Sequence, residues 1–191
     1  MNSLTKATTK TITTSHFSTI STLKMSSDAS LLFSGGTDFR FYIFNTVTDA
    51  VVCQGDELRG EIKAATIFDD FDRFGFVTNE GFIYYGNITA CILNYASLLD
   101  NQFNDIVSVN GQDDIWVVDK TDDVLYEIEL PAFSVTTHSF ATSGIRSVFQ
   151  IPTSSTLGVC TQQGFYVINY SGTILFSHSG LNVLTFKCTI T

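Results

Sequence analysis

Short runs of apolar residues, separated by turns rich in Asp, Ser and Gly, fill the chain from residue 20 onwards. Such runs bounded by turn residues predict β-strands, and no long window shows the three-to-four-residue spacing of an amphipathic helix. In Phe39–Phe44, five of the six residues are apolar or aromatic, so both alternating sets are hydrophobic. Strands covered on both faces have this pattern. We therefore predict an all-β fold built from packed sheets.

The apolar runs recur with a period of about 40 residues. Their openings at Ile20, Ile62, Ile106, Ile145 and Val183 stand 42, 44, 39 and 38 residues apart. This period is typical of one four-stranded blade of a β-propeller. We predict units near 20–56, 62–98, 106–140 and 145–179, followed by a last strand at 183–190. Residues 1–17 form a Thr/Ser-rich tail, in which Thr11–His16 could add an orphan strand.

The first unit resembles a WD40 repeat. Its segment LLFSGGTDFRFYIFN places Asp38 in the turn where that family has an Asp, and Phe44-Asn45 where the family has Trp-Asp. The later units are less similar, with Glu80-Gly81, Asp122-Asp123 and Gln163-Gly164 in the corresponding turn. The resemblance covers residues 20–183 and implies a β-propeller whose surfaces bind other molecules.

The sequence also departs from the WD40 pattern. The family's Gly-His pair is absent, although His16, His138 and His178 lie close to its position, and the sole tryptophan, Trp116, falls on a second strand. The resemblance therefore implies that the family's buried His–Ser–Asp–Trp hydrogen-bond set is complete in no blade. Since rings of this family usually have seven blades, four units either close tightly alone or form a partial ring that a partner chain or second copy completes.

Charge is unevenly distributed along the 191 residues, whose net charge is −9. Residues 100–129 carry nine acids against Lys120, whereas residues 130–191 carry no acid and only Arg146 and Lys187. The acidic unit disfavours nucleic acid and predicts a basic protein partner, and the nearly uncharged last third predicts a face covered by another chain. The predicted partner-binding residues are Asp113, Asp114, Asp119, Asp122, Asp123, Glu127, Arg146 and Lys187.

Cysteine spacing predicts four free thiols. Cys53, Cys91, Cys160 and Cys188 form no CxxC pair, which indicates buried thiols in a reducing, cytoplasmic compartment. The sequons at Asn87 and Asn169 carry little weight in a chain this rich in Ser and Thr. No apolar stretch is long enough to predict a membrane span.

For each candidate catalytic or metal-binding motif, the sequence favours a structural role over a functional one. The pairs His138-Ser139 and His178-Ser179 lack a nucleophile-elbow motif, and adjacent acids such as Asp69-Asp70 are typical of turns that bond backbone amides. The Asp-rich turns at 69–72 and 119–123 suit calcium chemically but do not match an EF-hand loop. We predict no catalytic residue, cofactor or metal.

Three functions from different classes follow. The leading one is a non-catalytic protein–protein interaction scaffold within a larger complex. The first alternative is a propeller enzyme, of the hydrolase or glycosidase type, that uses the central channel. The second is an extracellular or viral β-rich attachment protein, which the low charge and the Ser/Thr content favour.

Overall fold

A computed structural model describes residues 11–13, 15–98, 102–109, 111–140, 144–151 and 154–180. Within these ranges the chain forms sixteen strands and no helix. The strands are β1 (Ile20–Met25), β2 (Leu31–Gly36), β3 (Phe41–Asn45), β4 (Val51–Gly55), β5 (Ile62–Ile67), β6 (Arg73–Thr78), β7 (Phe82–Asn87), β8 (Ile92–Ser97), β9 (Phe103–Ser108), β10 (Asp114–Asp119), β11 (Val124–Glu129), β12 (Ser134–Ser139), β13 (Ile145–Gln150), β14 (Thr156–Thr161), β15 (Gly164–Asn169) and β16 (Ile174–Ser179).

The strands form four antiparallel sheets of four, each a simple meander of consecutive strands. The first strand of each sheet is the inner one, and β1 packs against β5, β5 against β9, and β9 against β13. No packing of similar extent joins β13 back to β1 among the described residues, so the ring is not closed. The predicted all-β, four-bladed propeller fold is therefore confirmed, with an open ring.

Apolar side chains fill the three interfaces between neighbouring sheets. Phe33, Phe41 and Ile43 of the first sheet pack against Phe74 and Phe76 of the second, with the rings of Phe41 and Phe76 centred 5.3 Å apart. The third interface is centred on the fully buried Trp116. Because each internal sheet is covered on both sides, its strands are apolar at consecutive positions, as the sequence pattern indicates.

Polar side chains also join neighbouring inner strands. The Ser21 hydroxyl donates to the carbonyl of Ile62 (2.5 Å), the Thr66 and Ser108 hydroxyls share a bond of 2.8 Å, and the Val148 amide donates to Asp105 (3.1 Å). The bonded residues are 41, 42 and 43 positions apart. The sequence period is therefore also the period of direct contacts between sheets.

The side chains of His16, Ser34 and Asp38 come together in the first sheet. His16 Nδ1 lies 2.9 Å from Asp38 Oδ1, and His16 Nε2 lies 3.1 Å from the Ser34 hydroxyl. Both the imidazole and the carboxylate are buried, and Tyr42 meets the His16 ring edge-on. Residues 11–13 and 15–16 form no strand, so the predicted orphan strand is wrong there, because His16 instead anchors the approach to β1.

One strand boundary differs clearly from the prediction. β9 begins at Phe103 rather than Ile106, because Phe103 already pairs with Asp119 of β10. The register shifts between this pair and the next one, Asp105 with Val118. The polar residues Asn104 and Asp105 interrupt the apolar run, which hides the start of the strand in the sequence. The predicted last strand at 183–190 and residues 1–10 of the predicted tail lie outside the described residues.

The prediction of four free thiols is wrong for two of them. Cys53 of β4 is disulfide-bonded to Cys91, which precedes β8. The repeat brings these residues together because the outer strand of one sheet lies beside the last turn of the next sheet. Cys160 is buried in the fourth sheet, and Cys188 lies outside the described residues. The first two sheets are thus linked covalently as well as by apolar packing.

Removing the disulfide is expected to destabilise the fold. Cys91→Ser should lower the free energy of unfolding by about 2–4 kcal/mol, because the unfolded chain gains freedom when the cross-link is lost. Denaturant unfolding with and without reductant measures this effect. Reductant should bring the wild type to the stability of the variant and leave the variant unchanged. Insensitivity of the wild type to reductant would contradict the cross-link.

Loss of the His16 imidazole is expected to leave a buried carboxylate without its main partner. His16→Ala should cost about 2–3 kcal/mol of unfolding free energy, since Asp38 stays desolvated. The matched control is His178→Ala, because His178 is exposed on the last strand, and we expect a change within about 0.5 kcal/mol there. Equal losses in the two variants would show that the buried set does not stabilise the fold.

Candidate functional site: an acidic turn face beside a cavity

The meander sorts the connections of every sheet onto two ends of the molecule. The turns from first to second strand and from third to fourth strand lie at one end, because successive strands are antiparallel. The middle turns and the loops between sheets lie at the opposite end. Acidic residues are distributed very differently between these two ends.

The first end carries what we call the acidic turn face. Among the described residues it has eight carboxylates, with Lys24 and Arg73 as the cationic residues nearby. The opposite end mixes its acids with cations, including the pairs Arg40–Asp56 and Lys63–Glu61. The carboxylates of the acidic turn face are Asp28, Asp49, Asp69, Asp70, Asp72, Asp113, Asp114 and Glu129.

Contacts between neighbouring turns hold this face together. The Ser27 hydroxyl of the first sheet donates to Asp69 of the second at 3.4 Å. The Arg73 guanidinium of the second sheet donates both to Asp70 in its own turn and to Asp113 of the third sheet. The turns of three consecutive sheets therefore form one connected surface.

Hydrogen bonds keep several of these carboxylates ionised. Donation from the Ser26 and Ser30 side chains and the Ser30 amide lowers the pKa of Asp28, and donation from Thr89 lowers the pKa of Asp72. Burial raises the pKa of Asp70, but the amides of Asp72 and Arg73 and the Arg73 guanidinium outweigh it and lower the pKa overall. These three groups carry negative charge at neutral pH.

Asp114 is the exception on this face. Burial, followed by repulsion from Glu127, Glu129 and Asp113, raises the pKa of the Asp114 carboxyl. Asp114 stands directly opposite Glu129 in the β10–β11 ladder, and like charges at such a position repel each other. The third sheet therefore contributes negative potential that its own residues do not neutralise.

The predicted partner-binding residues do not form one surface. Asp113 and Asp114 lie on the acidic turn face. Asp119 lies at the opposite end of the six-residue strand β10, roughly 17 Å from Asp114, and Asp122 and Asp123 lie in the turn that follows it. Glu127 lies in mid-strand and bonds His138 at 2.8 Å. Arg146 is exposed on β13, and Lys187 lies outside the described residues.

Asp119 has a structural role in the turn between β10 and β11. Its side chain is fully buried, and it accepts the Thr121 amide at 2.7 Å. Burial raises the pKa of the Asp119 carboxyl. It is therefore poorly placed to meet a partner, unlike the exposed Asp122.

The acidic surface predicted from the sequence lies in one unit and does not include Asp28, Asp69, Asp70 and Asp72. A signal for them exists in the repeat, because these residues fall between the first and second strands of their units, as Asp113 does in its own. Residues at the same phase of a propeller repeat meet at the same end of the molecule. Phase within the repeat, rather than local charge density, locates the surface.

A cavity lies beside this face, between the inner strands. It encloses about 550 Å³ and is lined by β1, β5, β9 and β13. Asp105 lies partly open to it and accepts the Val148 and Ile106 amides at 3.1 and 2.9 Å. Burial raises the pKa of Asp105 to about 6, against these two hydrogen bonds and the attraction of Lys24.

The described residues contain no group of three His, Cys, Asp or Glu arranged to hold a metal ion. In the same part of the chain, no helix is long and apolar enough to cross a membrane.

The ionisation of Asp105 is expected to weaken the fold as pH rises. The pKa of Asp105 is about 6 in the folded protein, whereas an exposed Asp side chain has a pKa of 3.8. The unfolded chain thus binds fewer protons between these values, and stability should fall across this window by on the order of 2–3 kcal/mol. Asp105→Asn should remove this fall from curves of unfolding free energy against pH. Glu57→Gln, at an exposed position, should keep it, and an unchanged slope in Asp105→Asn would contradict the assignment.

Comparisons with known proteins show the fold. No protein-family model and no curated protein matches the sequence. The chain is similar to a solved structure of U3-55K, with a TM-score of 0.73, 11% identity and coverage of 86% of this chain and 54% of that one. It is also similar to the hydrazine synthase of Kuenenia stuttgartiensis, with a TM-score of 0.72, 16% identity and coverage of 89% and 53%. The chain thus has a propeller-like architecture and spans about half the length of these structures.

Proposed function

We propose that this protein is a non-catalytic, WD40-like scaffold that binds a basic surface of a protein partner through its acidic turn face. The observation that carries the proposal is the concentration of eight carboxylates, with Lys24 and Arg73 nearby, at one end of a rigid sheet assembly. A surface of one sign steers an oppositely charged partner and fixes its orientation. The same field repels the phosphates of nucleic acids.

The geometry favours binding because the face is preorganised. Its turns are fixed by hydrogen bonds within each sheet and by the Ser27–Asp69 and Arg73–Asp113 contacts between sheets. A partner therefore meets carboxylates that need little ordering, which lowers the entropic cost of association. Rigid presentation of charged turns is the mechanism that we assign to the scaffold.

Two further observations support the WD40-like and non-catalytic parts of the proposal. The contacts of His16 with Ser34 and Asp38 match three of the four members of the hydrogen-bond set of the WD40 family. Fold alone does not decide catalysis, since a hydrazine synthase shares this architecture. The carboxylates Asp28, Asp70 and Asp72 accept hydrogen bonds from backbone amides near their own turns. These contacts give the three acids a structural role that does not depend on catalysis.

The disulfide favours a second candidate, the extracellular β-rich attachment protein. Disulfides persist in oxidising compartments, and the Cys53–Cys91 bond is not expected in a cytosolic protein. The cytoplasmic location stays a prediction from the sequence. Alkylation of free thiols in intact source cells, followed by mass measurement, tests it. A chain with Cys53 and Cys91 alkylated would support the scaffold in a reducing compartment, and an unmodified pair would support the attachment protein.

Removing charges from the acidic turn face is expected to weaken binding of a basic probe. The triple variant Asp69→Asn, Asp113→Asn, Glu129→Gln removes three exposed charges. It should weaken binding of a lysine-rich decapeptide at least tenfold, because each lost charge removes a favourable interaction at low ionic strength. Fluorescence anisotropy at low and at physiological salt measures the affinity.

The matched control removes three exposed acids from the opposite end, through Asp56→Asn, Glu57→Gln and Glu80→Gln. Both triple variants change the net charge by the same amount. The control should therefore change the affinity less than twofold if the position of the charge matters. Equal losses in the two variants would mean that net charge, not the acidic turn face, attracts the probe.

A further inference from the structure

Equivalent positions on the four inner strands differ sharply in exposure. The register shifts near the start of β1, β5, β9 and β13 align Leu23 with Ala65, Ile106 and Val148. The last three are 6%, 2% and 4% exposed and belong to the cores shared with the preceding sheet. Leu23, at the same position of the first sheet, is 62% exposed.

The same difference recurs two residues further along β1. Met25 is 51% exposed, whereas its counterpart in the second sheet, Ile67, is buried.

The fourth sheet is open on its opposite face. Phe165 aligns with Phe41, Ile83 and Leu125, which are all buried against the following sheet, but Phe165 itself is only half-buried. Its ring stacks on Phe149 with centroids 6.1 Å apart. On the outer strand, Phe176 is 54% exposed. We call the side with Leu23 and Met25 the leading face, and the side with Phe149, Phe165 and Phe176 the trailing face.

The leading and trailing faces correspond to the two surfaces that pack together at each of the three interfaces between sheets inside the chain. In each internal case, the trailing face of one sheet packs against the leading face of the next. The open ring keeps the two end faces of one molecule from covering each other. A second copy of the chain, however, presents both faces in the required orientation.

We propose that two copies of this chain associate head to tail, each trailing face covering the leading face of the other, to close a ring of eight sheets. Charge does not oppose this contact, since Arg146 is the one charged residue among the described residues of the fourth sheet. This inference does not rest on the acidic turn face.

The repeat also assigns a role to Arg146 in this contact. It occupies the position of Ser21, Lys63 and Asn104. The side chains of Ser21 and Asn104 donate to the next inner strand, at the carbonyls of Ile62 and Arg146, whereas Lys63 pairs with Glu61 just before its own strand. In the ring, the Arg146 guanidinium would donate to the β1 edge of the second copy. The exposed Arg146 on a nearly uncharged sheet would thus gain a hydrogen-bond acceptor on the neighbouring inner strand.

Sedimentation velocity and native mass spectrometry test the association. The wild type should sediment as a dimer, twice the 21.0 kDa of one chain, without trimers or tetramers, because a closed ring leaves no open face. Leu23→Asp and Phe176→Asp should each raise the dissociation constant at least tenfold. Val47→Asp is the matched control, since Val47 is 79% exposed in a turn, and it should leave the dimer unchanged. Circular dichroism establishes that each variant is folded.

Mixing the two interface variants distinguishes this ring from other dimers. A pair of Leu23→Asp with Phe176→Asp contains one interface with both substitutions and one interface with neither. The mixture should therefore form mixed dimers, whereas each variant alone stays monomeric. Failure of the mixture to associate, or a wild type that is monomeric at high concentration, would overturn the head-to-tail ring. Neither result would affect binding of the basic probe, so the proposed function is tested separately.

Discussion

The fold depends on one constraint: each sheet is apolar on both faces, so each needs a neighbour on both sides. Burial of apolar surface is the main favourable contribution to folding, and here it arises almost entirely between sheets. Phe33, Phe74 and Trp116 are fully buried at such interfaces. A single four-stranded sheet of this composition would have no side on which to meet water. The ring arrangement follows from this need, and so do the two exposed faces where the series of sheets stops.

Polar contacts set the spacing that apolar packing alone would leave loose. The side-chain bonds from Ser21, Thr66 and Asp105 to the next inner strand fix each sheet relative to its neighbour. Backbone conformation repeats as well, since Asp49, Cys91 and Phe133 all adopt left-handed conformations in the last turn of their sheets. This conformation is unfavourable for residues with a side chain, so its recurrence shows that the geometry of the turn, rather than the identity of the residue, is what the repeat preserves.

The architecture could be predicted from the sequence because the 40-residue period and the two-sided apolar strands are properties of every sheet. The candidate site could be predicted only in part. Asp113 and Asp114 were identified by local charge density, but Asp119 is buried at the far end of the same strand, which charge density does not reveal. The disulfide escaped detection because Cys53 and Cys91 are far apart in sequence and meet only through the packing of two sheets. Roles that depend on neighbours in the sequence can thus be predicted, whereas roles that depend on contacts between distant residues cannot.

The covalent link between the first two sheets makes the four sheets unequal. In a repeat protein, each unit is stabilised mainly by its nearest neighbours, so opening can begin at an end and proceed unit by unit. The Cys53–Cys91 bond ties the first pair of sheets into one unit, while within one copy the fourth sheet packs only against the third, without a covalent link between them among the described residues. Local unfolding therefore has a direction along the chain, from the fourth sheet towards the first, and the trailing face belongs to the element that opens most easily.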